Sequence, residues 1–164
     1  MKYILIATLI TASVARSFGC SIEDGWKGIK LFQTSRTQVE KILGKQIDDD
    51  GETNYQTDEA LIHIIYSANP CSDEKRSRGK YNLSKDIVLE YRVVLKKEIK
   101  LSDLDWKKDF YEREKDPHMK FFVHYRNLKD GVSFSTDKSD GTEKVRNISY
   151  FPTKELFSKF LCKK

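Results

Sequence analysis

Alternating apolar and polar residues predict that much of this chain forms β-strands. The alternation is clearest over residues 87–95, where apolar side chains occupy every second position and fall on one face of a strand, at Ile87, Leu89, Tyr91, Val93 and Leu95. Five other segments have shorter patterns of the same kind and are predicted as strands: 54–56, 60–66, 121–127, 132–136 and 145–151. Turn residues at 129–131 and 137–142 separate the last three strands.

A different periodicity, with apolar residues three and four positions apart, predicts a helix over residues 34–44. Ser35 or Thr34 can cap its first N–H groups, and Gln38 follows Ser35 at the spacing of a capping box. Gly44 supplies a helix-ending residue. The apolar side chains that share one face of this helix are Val39, Ile42 and Leu43.

Two shorter helical segments follow, at 101–106 with Ser102 as the cap and at 154–161 after the strand that Pro152 ends. Together these elements predict an α+β fold, an antiparallel sheet with short helices on one face. The succession of helix and three strands occurs twice, which favours two repeats of that unit. Residues 69–86 hold proline, cysteine and a run of charges, and are predicted to be a long solvated loop.

The first 19 residues have the pattern of a signal peptide, with Lys2 followed by an apolar run that is too short for a membrane-spanning helix. We therefore assign residues 1–19 to export and residues 20–164 to a single α+β domain. Small residues at two places leave the cleavage site open: Ser13 with Ala15, or Ser17 with Gly19 directly before Cys20. Cleavage at the second place would make Cys20 the first residue and a candidate for lipidation.

Three cysteines, Cys20, Cys71 and Cys162, follow the export segment, so one is left over when a disulfide forms. The Cys71–Cys162 pairing is favoured if Cys20 carries lipid, and Cys20–Cys162 competes with it if Cys20 does not. A catalytic role for Cys71 or Cys20 is disfavoured, because an exported cysteine with a partner tends to be oxidised.

The charge excludes one class of partner. The chain has 30 Lys and Arg against 25 Asp and Glu, and these residues are interleaved, so they form no one-signed stripe of the kind that nucleic-acid binding needs. We expect no nucleic-acid partner, and contact with a membrane only through a lipid on Cys20. The basic residues within 73–80 are assigned to a solvated loop in preference to a site for an anionic partner.

Candidate catalytic and metal-binding residues do not form a motif. His63, His118 and His124 lack the short spacings of zinc sites, and the acidic segments 48–52 and 137–141 do not complete a calcium loop. We therefore predict no catalytic residue, no metal and no cofactor. A minority of the aromatic side chains in the second half is expected to be exposed and to contact a protein partner.

Several segments resemble a group of uncharacterised secreted bacterial proteins: Gly25 to Lys30, Thr34 to Gly44, and Asp116 to Met119 before an aromatic strand. The resemblance covers nearly the whole chain after residue 19 and implies secretion and a shared fold, but no activity.

The helix segment 35–44 also looks like a motif of small outer-membrane lipoproteins of the SmpA, OmlA and BamE type and of β-lactamase-inhibitor-protein-like domains. These are non-enzymatic binding modules, although Ser17-Phe18-Gly19 departs from the usual lipidation signal. The sequence thus favours an exported, non-enzymatic protein-interaction module. An extracytoplasmic enzyme, such as a hydrolase whose residues converge only in space, is the alternative.

Overall fold

The structure of this chain is a computed structural model that describes residues 21–47, 53–72 and 80–162. The predicted signal peptide and Cys20 lie outside the described residues, as do the acidic segment 48–52 and most of the basic segment 73–80. In the part that is described, no helix has both the length and the apolar character needed to cross a membrane.

The described chain forms an antiparallel seven-stranded sheet with short helices, which confirms the predicted α+β class. The strands are β1 (Thr53–Gln56), β2 (Ala60–Tyr66), β3 (Val88–Lys100), β4 (Glu112–Lys115), β5 (Phe122–Asn127), β6 (Val132–Asp137) and β7 (Lys144–Tyr150). Their order across the sheet is β1-β2-β3-β7-β6-β5-β4, so β1 and β4 are the edges. The helices are α1 (Arg36–Leu43) and α2 (Lys154–Phe160). The predicted repeat stays a prediction.

Helix α1 begins and ends where its sequence predicts. The Gln38 N–H donates to the Ser35 hydroxyl and the Ser35 N–H donates to the Gln38 side chain, which completes the capping box. Gly44 follows with a φ of 90°, a conformation that glycine adopts without strain. Val39 and Leu43 are buried against the sheet, whereas Ile42, predicted on the same face, is 41% exposed.

The main core lies where residues 21–34, which we call the N-terminal segment, cover the centre of the sheet. Tyr91 on β3 and Tyr150 on β7 stack with their ring centres 4.3 Å apart. The Tyr91 hydroxyl accepts from the Trp26 N–H at 2.9 Å and donates to the Ile29 carbonyl at 3.0 Å. A Cβ on Gly25 would lie 2.3 Å from that carbonyl oxygen, so the segment can turn back on itself this tightly only with glycine there.

A smaller cluster holds the C-terminal end of the chain. Cys71 and Cys162 form a disulfide, one of the two pairings that the sequence left open. Beside it the Cys71 N–H donates to the Tyr81 carbonyl and the Cys162 N–H donates to the Lys80 carbonyl. The apolar members of this cluster are Phe32, Tyr81, Leu83 and Leu89, with Leu156 and Phe160 of α2 against them. The prediction of a wholly solvated loop over 69–86 is therefore wrong at its end, where Tyr81 and Leu83 are buried.

The structure corrects two further predictions. The sequence predicts Leu89 on the same face of β3 as Tyr91 and Val93. A bulge between Ile65 and Tyr66 shifts the register of β2 against β3, so Leu89 joins the small cluster while Tyr91 and Val93 face the main core. The segment after β3 is a 3₁₀ turn over Leu101–Asp103, and the Ser102 hydroxyl donates to Asp103 instead of capping a helix.

Candidate binding site

The β4–β5 hairpin carries exposed side chains and several polar side-chain contacts. All four residues of β4 are exposed, and the strand pairs with β5 on one side alone. In the register of the hairpin Arg113 lies opposite Tyr125 and Glu114 lies opposite His124. Residues 116–121 connect the two strands, and we call them the hairpin turn. The hairpin thus consists of the exposed strand β4, its neighbour β5 and the hairpin turn that connects them.

Asp116 fixes the conformation of the hairpin turn. One carboxylate oxygen accepts from the His118 and Met119 N–H groups at 2.8 and 2.9 Å, and the other lies 3.0 Å from the His124 ring nitrogen Nε2. The bond from His124 and the two N–H groups lower the pKa of Asp116 to about 2. Asp116 is therefore ionised near neutral pH and holds the turn through three hydrogen bonds.

Two large apolar side chains extend from this fixed turn. Met119 is 48% exposed and Phe121 is 58% exposed. The main chain at both residues is hydrogen-bonded, since the Met119 carbonyl accepts from the Phe122 N–H and the Phe121 carbonyl accepts from the Lys138 N–H. Because the main chain of this apolar pair is already ordered, it loses little further backbone entropy when a partner binds.

The three histidines do not come together at one place in the part of the chain that the structure describes. His63 is on β2 and His124 is on β5, with three strands between them, while His118 is exposed in the hairpin turn. No group of three or more His, Cys, Asp or Glu side chains among residues 21–47, 53–72 and 80–162 is placed to hold a metal ion. His124 does meet a carboxylate, the contact that an enzyme would need, but it lies on the sheet surface and lines none of the three cavities described below.

A cleft of about 570 Å³ lies beside the β4–β5 strand pair. We call it the hairpin cleft. Its walls come from the segment after β3, from β4 and β5, and from the turn before β7, and include Leu101, Trp106, Lys108, Arg113, Tyr125 and Glu143. Its volume is within the range of about 300–1,000 Å³ that is usual for small-molecule sites.

The Tyr125 hydroxyl joins two opposite charges in this cleft. It accepts from Arg113 Nε at 3.2 Å and donates to Glu143 Oε1 at 2.7 Å. The Thr136 hydroxyl donates to the same carboxylate oxygen at 2.8 Å. Burial raises the pKa of Tyr125, and the bond to Glu143 raises it further. Tyr125 therefore stays neutral and holds Arg113 and Glu143 on either side of one oxygen.

Trp106 forms the aromatic wall of the hairpin cleft. Its ring meets those of Tyr111, Tyr125 and Phe134 edge-on, with ring centres 5.0 to 5.3 Å apart. The indole remains partly exposed although three aromatic rings hold it in place. The cleft therefore combines a fixed apolar surface with two charged groups.

Two smaller cavities, of about 270 and 160 Å³, border Tyr150 under the N-terminal segment. The Tyr150 hydroxyl is buried and has no hydrogen-bond partner in the described residues. Burial raises the pKa of Tyr150, and the Glu23 carboxylate adds to the shift, so the hydroxyl is neutral.

The residues of the hairpin cleft were not singled out by the sequence. Arg113 and Tyr125 are opposite each other in the hairpin, so a prediction of β4 would have brought them together. Glu143 joins them from the turn before β7, and only the sheet order places it there. Of the aromatic side chains in the second half, Phe121 is exposed, as expected for a minority of them, whereas Tyr125, Phe134 and Tyr150 are buried.

Comparison with known proteins finds no match to this chain. No protein-family model matches the chain, and no curated protein or solved structure matches it either.

Proposed function

We propose that this protein is an exported, non-enzymatic binding module that contacts a protein partner through its hairpin turn. The observation that carries the proposal is the exposure of Met119 and Phe121 on a turn that Asp116 fixes with three hydrogen bonds. Aromatic residues and Met are enriched in protein interfaces, and a conformation that is set in advance lowers the entropy cost of binding.

Export is supported by two independent features. The first 19 residues have the pattern of a signal peptide, and the Cys71–Cys162 disulfide is of a kind that persists in oxidising compartments. We expect the native protein to lack residues 1–19 and to lie outside the cytoplasm, in the periplasm or the medium. The intact mass of the native protein tests this proposal, and an added acyl mass on Cys20 would identify a lipid-anchored form.

The position of the contact can be tested with a photo-crosslinking residue at Lys120, which lies between the two apolar side chains and is exposed. We expect one discrete crosslinked product with an envelope or extracellular fraction of the native cells. The same crosslinker at Leu128, which is 58% exposed elsewhere on the surface, serves as the control.

A second chain combines the Lys120 crosslinker with Met119→Ala and Phe121→Ala. We expect the product to disappear, because both apolar contacts are removed while the backbone of the turn is kept. A product that persists in this chain, or that forms equally from Leu128, would contradict the proposed surface.

A further inference from the structure

We propose that the hairpin cleft binds a free α-amino acid with a large apolar side chain, as its zwitterion. This inference goes beyond the proposed function and does not rest on it, because no residue of the hairpin turn lines the hairpin cleft.

The two charged groups in the cleft have a spacing that suits the two charges of an α-amino acid. Arg113 and Glu143 are both hydrogen-bonded to the Tyr125 oxygen, at 3.2 and 2.7 Å, so a positive and a negative group lie side by side. An α-amino acid has its carboxylate and its ammonium group on the same carbon atom, a separation of the same order. Its carboxylate therefore lies against Arg113 when its ammonium group lies against Glu143.

Both protein groups keep atoms for a ligand. Arg113 uses Nε for Tyr125, and its two Nη nitrogens have no partner in the residues that the structure describes. Glu143 accepts both of its bonds at Oε1, which leaves Oε2 without a partner in the same part of the chain. A guanidinium group binds a carboxylate with two parallel hydrogen bonds, and a carboxylate oxygen accepts from an ammonium group.

The remaining walls select the side chain of the ligand and orient it. Lys108 adds a second positive group, so the cleft has one cation more than it has anions among its named walls and favours the carboxylate end. Trp106 and Leu101 supply apolar surface for a side chain. The cleft of about 570 Å³ has space for an aromatic or large aliphatic residue.

Three ligands that share one side chain and differ in the charges on the α-carbon test the proposal on the protein purified with its disulfide intact. L-Phenylalanine has both charges, N-acetyl-L-phenylalanine lacks the ammonium group, and L-phenylalanine amide lacks the carboxylate. We expect calorimetric titration to give a dissociation constant for L-phenylalanine about tenfold or more below that of either blocked form, as expected for one charged hydrogen bond lost. Equal binding by a blocked form overturns the proposal, as does the absence of binding by L-phenylalanine, L-leucine and L-tryptophan.

Variants then assign each charge of the ligand to a residue. In Glu143→Gln we expect L-phenylalanine to bind no better than N-acetyl-L-phenylalanine, whose affinity should be unchanged. In Arg113→Gln we expect L-phenylalanine to bind no better than the amide. Arg126→Gln is the matched control, because Arg126 is an exposed arginine on β5 outside the cleft. A loss of affinity in Arg126→Gln equal to that in Arg113→Gln overturns the assignment, and thermal unfolding verifies that each variant is folded.

Discussion

The inner sheet (β2, β3, β7 and β6) and the outer hairpin (β4, β5 and the hairpin turn) are built from the same strand geometry but differ in what covers them. Ile62, Ile64, Val93 and Ile148 in the inner sheet are fully buried, whereas all four residues of β4 are exposed. In the inner sheet, side chains pack under the N-terminal segment and α1. In the outer hairpin, Val123 and Tyr125 of β5 pack into the core, whereas the side chains of β4 and most of the hairpin turn are exposed to solvent. The comparison indicates that the buried packing of the sheet is concentrated away from β4 and the hairpin turn.

Two tyrosines show the same contrast at the level of one hydroxyl. Tyr91 bonds to main-chain groups of Trp26 and Ile29 and so fastens a chain segment to the inner sheet. Tyr125 bonds to the charged side chains of Arg113 and Glu143 at the hairpin cleft. The first tyrosine stabilises the fold, and the second arranges groups that a ligand can reach.

The largest expected difference in stability comes from the same substitution, Phe to Ala, made in each of the two regions. Phe134→Ala in the inner sheet removes a ring that is 2% exposed, and we expect it to lower the free energy of unfolding by about 3–5 kcal/mol. Phe121→Ala in the hairpin turn removes a ring that is 58% exposed, and we expect a change within about 0.5 kcal/mol. Urea unfolding of both variants measures the difference, and similar losses would remove the distinction between the regions.

Removal of the disulfide should act on the fold and not on the outer hairpin. The bond closes a sequence separation of 91 residues, and we expect Cys71→Ser with Cys162→Ser to lower the free energy of unfolding by about 2–4 kcal/mol. Reductant should give the same loss in the native protein and none in the double variant. A large change in the Lys120 crosslinking yield of the folded double variant would contradict the independence of the hairpin turn.

The stacked pair in the inner sheet allows a finer test. Tyr91→Phe removes the hydroxyl that accepts from the Trp26 main-chain N–H and donates to the Ile29 carbonyl, and we expect a loss of about 1–3 kcal/mol. Tyr150→Phe removes a buried hydroxyl that has no partner among the described residues, and we expect no loss or a gain of up to about 1 kcal/mol. Thermal unfolding compares the two, and equal losses would show that the Tyr150 hydroxyl has a bonding role.

The smallest effect belongs to the hairpin turn and depends on pH. The pKa of Asp116 is lowered to about 2, mainly by His124, so this carboxylate stabilises the folded protein above pH 4. That contribution is lost as the pH falls from about 4 to about 2. We expect Asp116→Asn to be less stable than the native protein at pH 7, with the difference in melting temperature vanishing near pH 2. Asp103→Asn, at an exposed site outside the hairpin, is the control.

The sequence predicts elements well where one side is buried. Six of the strands and both α-helices were predicted because their apolar residues recur at regular spacing. Strand β4 was missed because Glu112, Arg113, Glu114 and Lys115 are all exposed, which leaves no alternation to detect. Charged residues on an edge strand protect it from pairing with other chains, so the reason for the miss is physical.

The hairpin cleft was beyond sequence analysis for a different reason. Arg113, Tyr125 and Glu143 meet because β4, β5, β6 and β7 are consecutive neighbours at one side of the sheet. No local pattern encodes that order. The face of β3 was predicted wrongly near Leu89 on similar grounds, since the bulge that redirects it depends on the register with β2.

The pairing of β3 with β7 has a consequence for biosynthesis. Ribosomes make β3 long before residues 144–150, so one edge of β3 has no neighbour until β7 has been translated. A nascent chain with such an edge is prone to associate with other chains. We therefore expect that the sheet is completed only after β7 has left the ribosome, and that a chaperone which holds the chain extended until then raises the yield.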